Sequence, residues 1–301
     1  MGDTKIKRGL NIYLYYWTIV IFIFLITLNY FSRNFKVEAL DVGLMISIVS
    51  FLFGFSITIS FSMLLSRVSS LKDSLAFETG RLVSLYALSK NLGEKFYKKV
   101  NDRIDDYTIC TLRDYSNYHV GREAIYGLYE DVKNMEVENE NQKVIANSFL
   151  YILGEFEPIR EKLEYLTSRR IEWPLKLTNY ILGIMLIILL FLNRGDAFTN
   201  SIFIILSTVI VFIFLIIEDF DNLRIGDYTY NISNSEQIFD LIGRDRYYPK
   251  NILNRVKLEK GKTYRIGIYD KKLGKDKIIS LKYNPAFRIK LNFLSRKFGD
   301  N

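Results

Sequence analysis

Residues 42–66 read VGLMISIVSFLFGFSITISFSMLLS, with no charged side chain in the run. A helix rises about 1.5 Å per residue and a bilayer's hydrocarbon core is about 30 Å thick, so a span needs about 20 apolar residues. This stretch is long enough. Working outward from it, residues 9–32, 177–193 and 197–217 are also free of charge. Trp173, Pro174 and Leu175 extend the third run upstream across Lys176, whose ammonium can snorkel to the headgroups. Pro174 then falls in the first helical turn, where its missing N–H costs little. The chain is 49% hydrophobic and 25% charged, averages that would suit a soluble protein if the two kinds were mixed. They are segregated, and the sequence reads as an all-α membrane protein with four transmembrane helices in two hairpins.

Short connections close the hairpins, residues 33–41 in the first and Arg194-Gly195-Asp196 in the second. Lys5, Lys7, Arg8, Arg67, Lys72, Arg81, Arg169, Arg170, Lys176 and Arg224 flank one side of the spans, against Arg33, Lys36 and Arg194 on the other. The positive-inside rule places both termini in the cytoplasm of a multi-pass plasma-membrane protein. A secretory leader is the competing reading of the N-terminus, but the apolar run exceeds a leader's core and no small-x-small site follows it. Four segments result: a first transmembrane hairpin (1–66), a cytoplasmic helical region (67–172), a second hairpin (173–217) and a basic cytoplasmic tail with a β-hairpin (218–301).

Beyond residue 66 no Pro or Gly intervenes before Gly80, while Leu64, Val68, Leu71 and Leu75 recur at helical spacing, so the second span continues into the cytosol. Leu92, Phe96, Val100, Ile104 and Tyr107 form a second amphipathic run, and Val144, Phe149, Ile152, Phe156 and Ile159 a third. Turns are expected near Asn91-Leu92-Gly93 and across 136–141. These runs make a helical cytoplasmic bundle. Alternation over 264–269 and 277–283, around a Lys- and Gly-rich turn, gives a small C-terminal β-element. From Arg244 to the end there are 17 Lys and Arg against 5 Asp and Glu. Tyr247, Tyr248, Tyr264, Tyr269, Tyr283, Phe287 and Phe293 are interleaved with them, yet no nucleic-acid-binding motif is present, so nucleic acid is not expected as a partner. Anionic lipid headgroups are the expected partner of this tail, with a plain solvated charged face as the alternative reading.

The chemistry available is narrow. One Cys (Cys110) and one His (His119) exclude a disulfide framework, a CxxC pair and a Cys/His metal centre. No phosphate-binding glycine loop or nucleophile elbow occurs, and no constellation for an enzyme is found. No span carries an ionisable residue in its interior, which argues against a proton-coupled carrier. Glu218, Asp219 and Asp221, at the end of the fourth span, are a solvated helix end or two or three ligands of a calcium site, which needs six or more oxygens. In the second span Ser47, Ser50, Gly54, Thr58 and Ser62 fall on one face, flanked by Phe51, Phe53, Phe55 and Phe61. Small and hydroxyl-bearing residues in lipid either let helices approach, the role expected of Ser50, Gly54 and Ser62, or line a polar path.

Phe51-Leu52-Phe53-Gly54-Phe55, then Ser66-Arg67 into Leu71-Lys72-Asp73, Phe77-Glu78-Thr79 and Leu82-Val83-Ser84-Leu85-Tyr86, resemble the bestrophin-like family of membrane proteins. Arg169-Arg170 and Trp173-Pro174 before the third span, and Glu218 to Asn222 with Gly226 after the fourth, follow the same order over roughly residues 10 to 240. The resemblance implies an oligomeric anion channel like the bestrophins, possible as a homo-pentamer and conducting chloride. It places Ser47, Phe51, Gly54, Phe55 and Thr58 in a pore lined by the second span. It also implies a calcium clasp after the fourth span, shorter here, where Glu218, Asp219 and Asp221 would be the ligands; no other cofactor is implied. The competing class is a non-conducting scaffold or sensor that binds a partner through its cytoplasmic region.

Overall fold

The computed structural model describes residues 12–32, 42–113, 121–223, 227–253, 256, 258–270 and 275–283. Lys5, Lys7, Arg8, Arg33, Lys36, His119, Arg224, Gly226, Phe287 and Phe293, with the connections at 33–41 and 271–274, lie outside the described residues. Eight helices are described: α1 (Ile12–Phe31), α2 (Val42–Ser89), α3 (Glu94–Arg113), α4 (Arg122–Lys133), α5 (Glu140–Ser168), α6 (Trp173–Leu192), α7 (Ala197–Asp221) and α8 (Asp227–Leu241). Three strands follow, β1 (Arg246–Pro249), β2 (Thr263–Asp270) and β3 (Lys275–Lys282). Four helical stretches among the described residues, Leu14–Phe31, Val42–Ser89, Glu140–Leu192 and Ala197–Asp221, are long and apolar enough to cross a membrane. The chain is a mostly helical membrane protein with a small C-terminal sheet.

Two compact units divide the chain, and α2 contributes residues 42–70 to one and 71–89 to the other. The membrane unit also holds α1, α6 and α7. Its core is Leu25, Val49, Phe53, Ile57, Leu64, Leu186, Phe203, Ile210 and their neighbours. Gly183 sits where a Cβ would lie 2.2 Å from the Phe214 ring, so only glycine lets that ring close on α6 and meet Phe53 edge-on at 5.9 Å. Pro174 occupies the first turn of α6, as the sequence predicts. The tight second hairpin is fixed by a cap: Asp196 accepts from the Thr199 backbone N–H at 2.7 Å while the Thr199 hydroxyl reaches back. Arg194 donates to Asn29 and Ser32 of the α1 end and lies 3.6 Å from the Phe191 ring, which ties the turn to the first helix.

The second unit comprises the remainder of α2, α3, α4, α5, α8 and the sheet. Leu92, Phe96, Val100, Ile104 and Tyr107 are all buried, as the amphipathic run predicts. On α5 the phase differs from expectation: Val144 is exposed and Ile152 only partly buried, whereas Phe149, Leu153, Phe156, Arg160 and Leu163 form the inner face. The periodicity was masked because a cation, Arg160, occupies one of the inward positions. The β-element is larger than a hairpin. β2 and β3 pair antiparallel, Ile266 opposite Ile279, and β1 adds a parallel third strand, Tyr248 opposite Ile266. Tyr247, Tyr248 and Tyr264 join the helical core, so helices and sheet share one interior.

Candidate functional site

The two faces of α2 within the span are chemically distinct. Val49, Phe53, Ser56, Ile57, Ser60 and Leu64 are buried against the unit. Ser47, Phe51, Gly54, Phe55, Thr58 and Ser62 are exposed, with Phe51 at 73% and Phe55 at 63%, and Ser50 is half-buried at the border. Nothing lies within 4 Å of a Cβ built on Gly54. All five positions assigned to a pore lining thus share one face that no part of the described chain covers. Phe53, grouped with the other rings in the sequence, is separated from them and belongs to the core. The hydroxyls of Ser47 and Thr58 donate to the carbonyls of Gly43 and Gly54 at 3.0 and 2.8 Å, so neither residue leaves a donor stranded in lipid.

The buried face holds a polar contact that sequence reasoning missed. Ser56 Oγ donates to Asn179 Oδ1, and Asn179 Nδ2 donates to Ser60 Oγ, each at 2.6 Å. Asn179 is 2% exposed. A single amide on α6 therefore spans two hydroxyls one turn apart on α2, satisfying both halves of the amide where water is absent. The signal was an Asn in the first turns of the third run together with an i, i+4 serine pair in the second.

At the far end of α7 the three carboxylates have different surroundings. Asp221 Oδ1 accepts from the Ile171 backbone N–H at 2.8 Å and lies 3.9 Å from Arg67 Nη1, while Oδ2 accepts from Lys176 Nζ at 3.1 Å. Arg67 and Arg170 also donate to the Asp221 carbonyl, at 3.1 and 3.0 Å, and Arg170 donates to the Asn222 side chain. Glu218 Oε1 accepts from Lys176 at 2.6 Å and from the Tyr180 hydroxyl, and Oε2 from Asn222 Nδ2 at 3.2 Å. Asp219 is buried. Among the described residues no group of three or more His, Cys, Asp or Glu is placed to hold a metal ion.

A family model for the bestrophin-like domain matches residues 16–229, which takes in all four spans, the α2 face and the α7 end. The chain belongs to the bestrophin-like family. Two variants of a bacterial bestrophin homologue from Klebsiella pneumoniae, each solved as a crystal structure, share its fold with TM-scores of 0.57 and 0.56. Each is 11% identical over 77% of this chain and 99% of its own. A further crystal structure, of a membrane protein, superposes with a TM-score of 0.57 at 9% identity, covering 78% of this chain and 99% of that one. No curated protein matches the chain.

The second unit of this bestrophin-like protein carries its own buried charge. Tyr107 donates to Glu78, Arg160 donates to Tyr107, and Arg160 Nη1 lies 4.0 Å from Glu78 Oε1, all three side chains being buried. Glu78 is part of the motif that carries the family resemblance, so the motif's acid is the anchor of α3 and α5 on the extended α2. Gly121 lies against this group, its Cβ position 2.9 Å from the Tyr107 ring. Two residues before Tyr107 on α3, Asp105 accepts a two-pronged bond from Arg265, both contacts at 2.6 Å, which docks β2 on α3.

Proposed function

We propose that this bestrophin-like membrane protein is an ion channel, assembled from several copies, whose pore is lined by α2. The observation that carries the reading is the exposed strip Ser47, Phe51, Gly54, Phe55 and Thr58, uncharged and aromatic on a helix whose opposite face is fully packed. Around a common axis Phe51 and Phe55, one turn apart, form stacked rings that hold ions back by dewetting, with the hydroxyl groups of Ser47 and Thr58 on either side. Chloride is the assigned ion: the strip has no carboxylate of the kind that rings cation filters. Copies approach through the small positions Ser50, Gly54 and Ser62. The protein sits in the plasma membrane with both termini cytoplasmic, and the basic C-terminal segment meets anionic headgroups.

Phe51→Ala with Phe55→Ala widens and rewets the constriction, so chloride flux into liposomes loaded with the purified protein rises above the wild-type level. If neither protein passes chloride or cations while circular dichroism shows both folded, the channel reading fails. The scaffold reading, in which the strip is only a helix-packing surface, then takes its place.

A further inference from the structure

The bestrophin resemblance puts a calcium clasp after the fourth span, and the donor set found there is of another kind. A calcium ion takes 6–8 oxygen ligands, drawing on carboxylate lone pairs that face an open site. All four side-chain oxygens of Glu218 and Asp221 already have partners on this chain: the Ile171 N–H, Arg67 and Lys176 around Asp221, and Lys176, Tyr180 and Asn222 around Glu218. Three of those neighbours are not water-replaceable ligands but fixed parts of α2, α6 and the segment before α6. The Asp221 and Arg67 side chains are 3% and 7% exposed, so neither reaches bulk water to exchange its partner for a hydrated ion.

Charge balance gives the same answer. Arg67 and Lys176 bring two positive charges to the two carboxylates of Glu218 and Asp221, and Arg170 adds a third at the Asp221 carbonyl. A divalent ion added to these already compensated carboxylates would bring excess positive charge into a partly dry site, and it would first have to expel a guanidinium or an ammonium. We propose that Asp221 is the hub of a calcium-independent ionic latch, in which Arg67, Arg170 and Lys176 occupy the place of a metal ion and hold the middle of α2, the start of α6 and the end of α7 together. Each cation comes from a different stretch of the chain, as metal ligands do: Arg67 from α2, Arg170 from the segment after α5, and Lys176 from the first turn of α6. Asp221 collects them with both its side chain and its carbonyl, and the fold carries its cross-link within the polypeptide.

The test needs no transport assay and is independent of whether the protein conducts. Equilibrium dialysis of the purified full chain against radioactive calcium chloride is expected to show no stoichiometric binding at concentrations up to about 100 μM, a range that includes sensor-type sites. Thermal unfolding is expected at the same temperature in calcium chloride and in EGTA. Asp221→Asn strips the hub of its charge and leaves buried cations uncompensated, so its transition falls by roughly 5 to 10 °C, and calcium does not restore it. Lys176→Gln lowers the transition less, and the double variant falls by less than the sum of the two single changes, because the Lys176–Asp221 contact is lost in both while the Lys176–Glu218 contact is lost only with Lys176. One calcium bound per chain and lost in Asp221→Asn overturns the latch, as does an Asp221→Asn protein that unfolds at the wild-type temperature. If Asp221→Asn yields no folded protein, the wild-type calcium measurements and Lys176→Gln decide: binding, or a Lys176→Gln transition equal to wild type, overturns the proposal.

Discussion

Asn179 shows how one side chain can set the register of two membrane helices. Its amide engages Ser56 and Ser60 from a distance of more than 100 residues in sequence, 123 and 119 positions respectively. Within lipid an interhelical hydrogen bond is worth about 0.6 kcal/mol and at most about 1.7, because polar groups of the unfolded chain in the bilayer also find partners. Asn179→Leu removes both bonds and offers the serines nothing, so a destabilisation of about 1–2 kcal/mol is expected, read as a lower thermal transition of the detergent-solubilised protein. Ser60→Ala, which removes only one bond, should cost about half as much; equal transitions for wild type and Asn179→Leu would show that the contact does not hold the helices. The sequence displayed the serines and the asparagine but not their pairing, since nothing local distinguishes Ser56 from Thr58 except which face of α2 happens to be covered. Phe53 could not be told from the other rings for the same reason: it stands between Phe51 and Phe55 in sequence and on the opposite side of the helix.

Long apolar and amphipathic helices were legible because periodicity accumulates over many turns, and α1, α2, α3, α6 and α7 all fall where the pattern puts them. The elements that escaped are short or polar. α4 shows Ala124, Ile125, Leu128 and Val132 at i, i+4 spacing, a signal that was present and overlooked. β1 has four residues and ends on Pro249, too little for an alternation to register, and Pro is tolerated there because the strand lies at the sheet's edge. α8 is rich in Asn and Ser and looks like a loop; it is held by Ile232, Ile238 and Phe239 in the core and by side-chain bonds to β1. Arg246 grips Asp240 with two contacts, at 2.9 and 2.6 Å, and Glu236 at 2.8 Å, and Tyr248 donates to Glu236 at 2.6 Å. The Arg246 guanidinium holds the Asp240 carboxyl below its ordinary value of 3.8. A depressed carboxyl stabilises the fold above that ordinary value and loses the contribution as pH falls through the lower folded value. Between pH 5 and pH 3 the thermal transition of the wild type is therefore expected to fall more steeply than that of Asp240→Asn. Parallel pH profiles for the two would show that the pair does not couple α8 to β1.

At the scale of the whole molecule, the sequence pattern made the membrane class and the exposed α2 face readable, whereas the filling of the α7 end by the chain's own cations depended on three-dimensional neighbours. Orientation is argued from the sequence alone. Ten Lys and Arg flank the side that bears the termini and the long segment between the hairpins, against Arg33, Lys36 and Arg194 on the other. Insertion retains Lys and Arg on the cytoplasmic side when they lie close to span ends, which predicts that the second hairpin's turn faces outward and the α4–α5 connection faces the cytosol. The structure supplies suitable probes for both sides. Gly195 is exposed in the turn of the second hairpin, with nothing within 4 Å of its Cβ position, and Val137 is exposed in the connection between α4 and α5. Cys110 is partly buried and would give a weak background, so it is first replaced in Cys110→Ser. In that protein Gly195→Cys should react with a membrane-impermeant maleimide on intact cells, while Val137→Cys should react only after permeabilisation. Because the charge asymmetry applies to both hairpins together, the two probes must exchange behaviour if the orientation is reversed: labelling of Val137→Cys from outside, with Gly195→Cys protected, would place both termini outside and overturn the assignment.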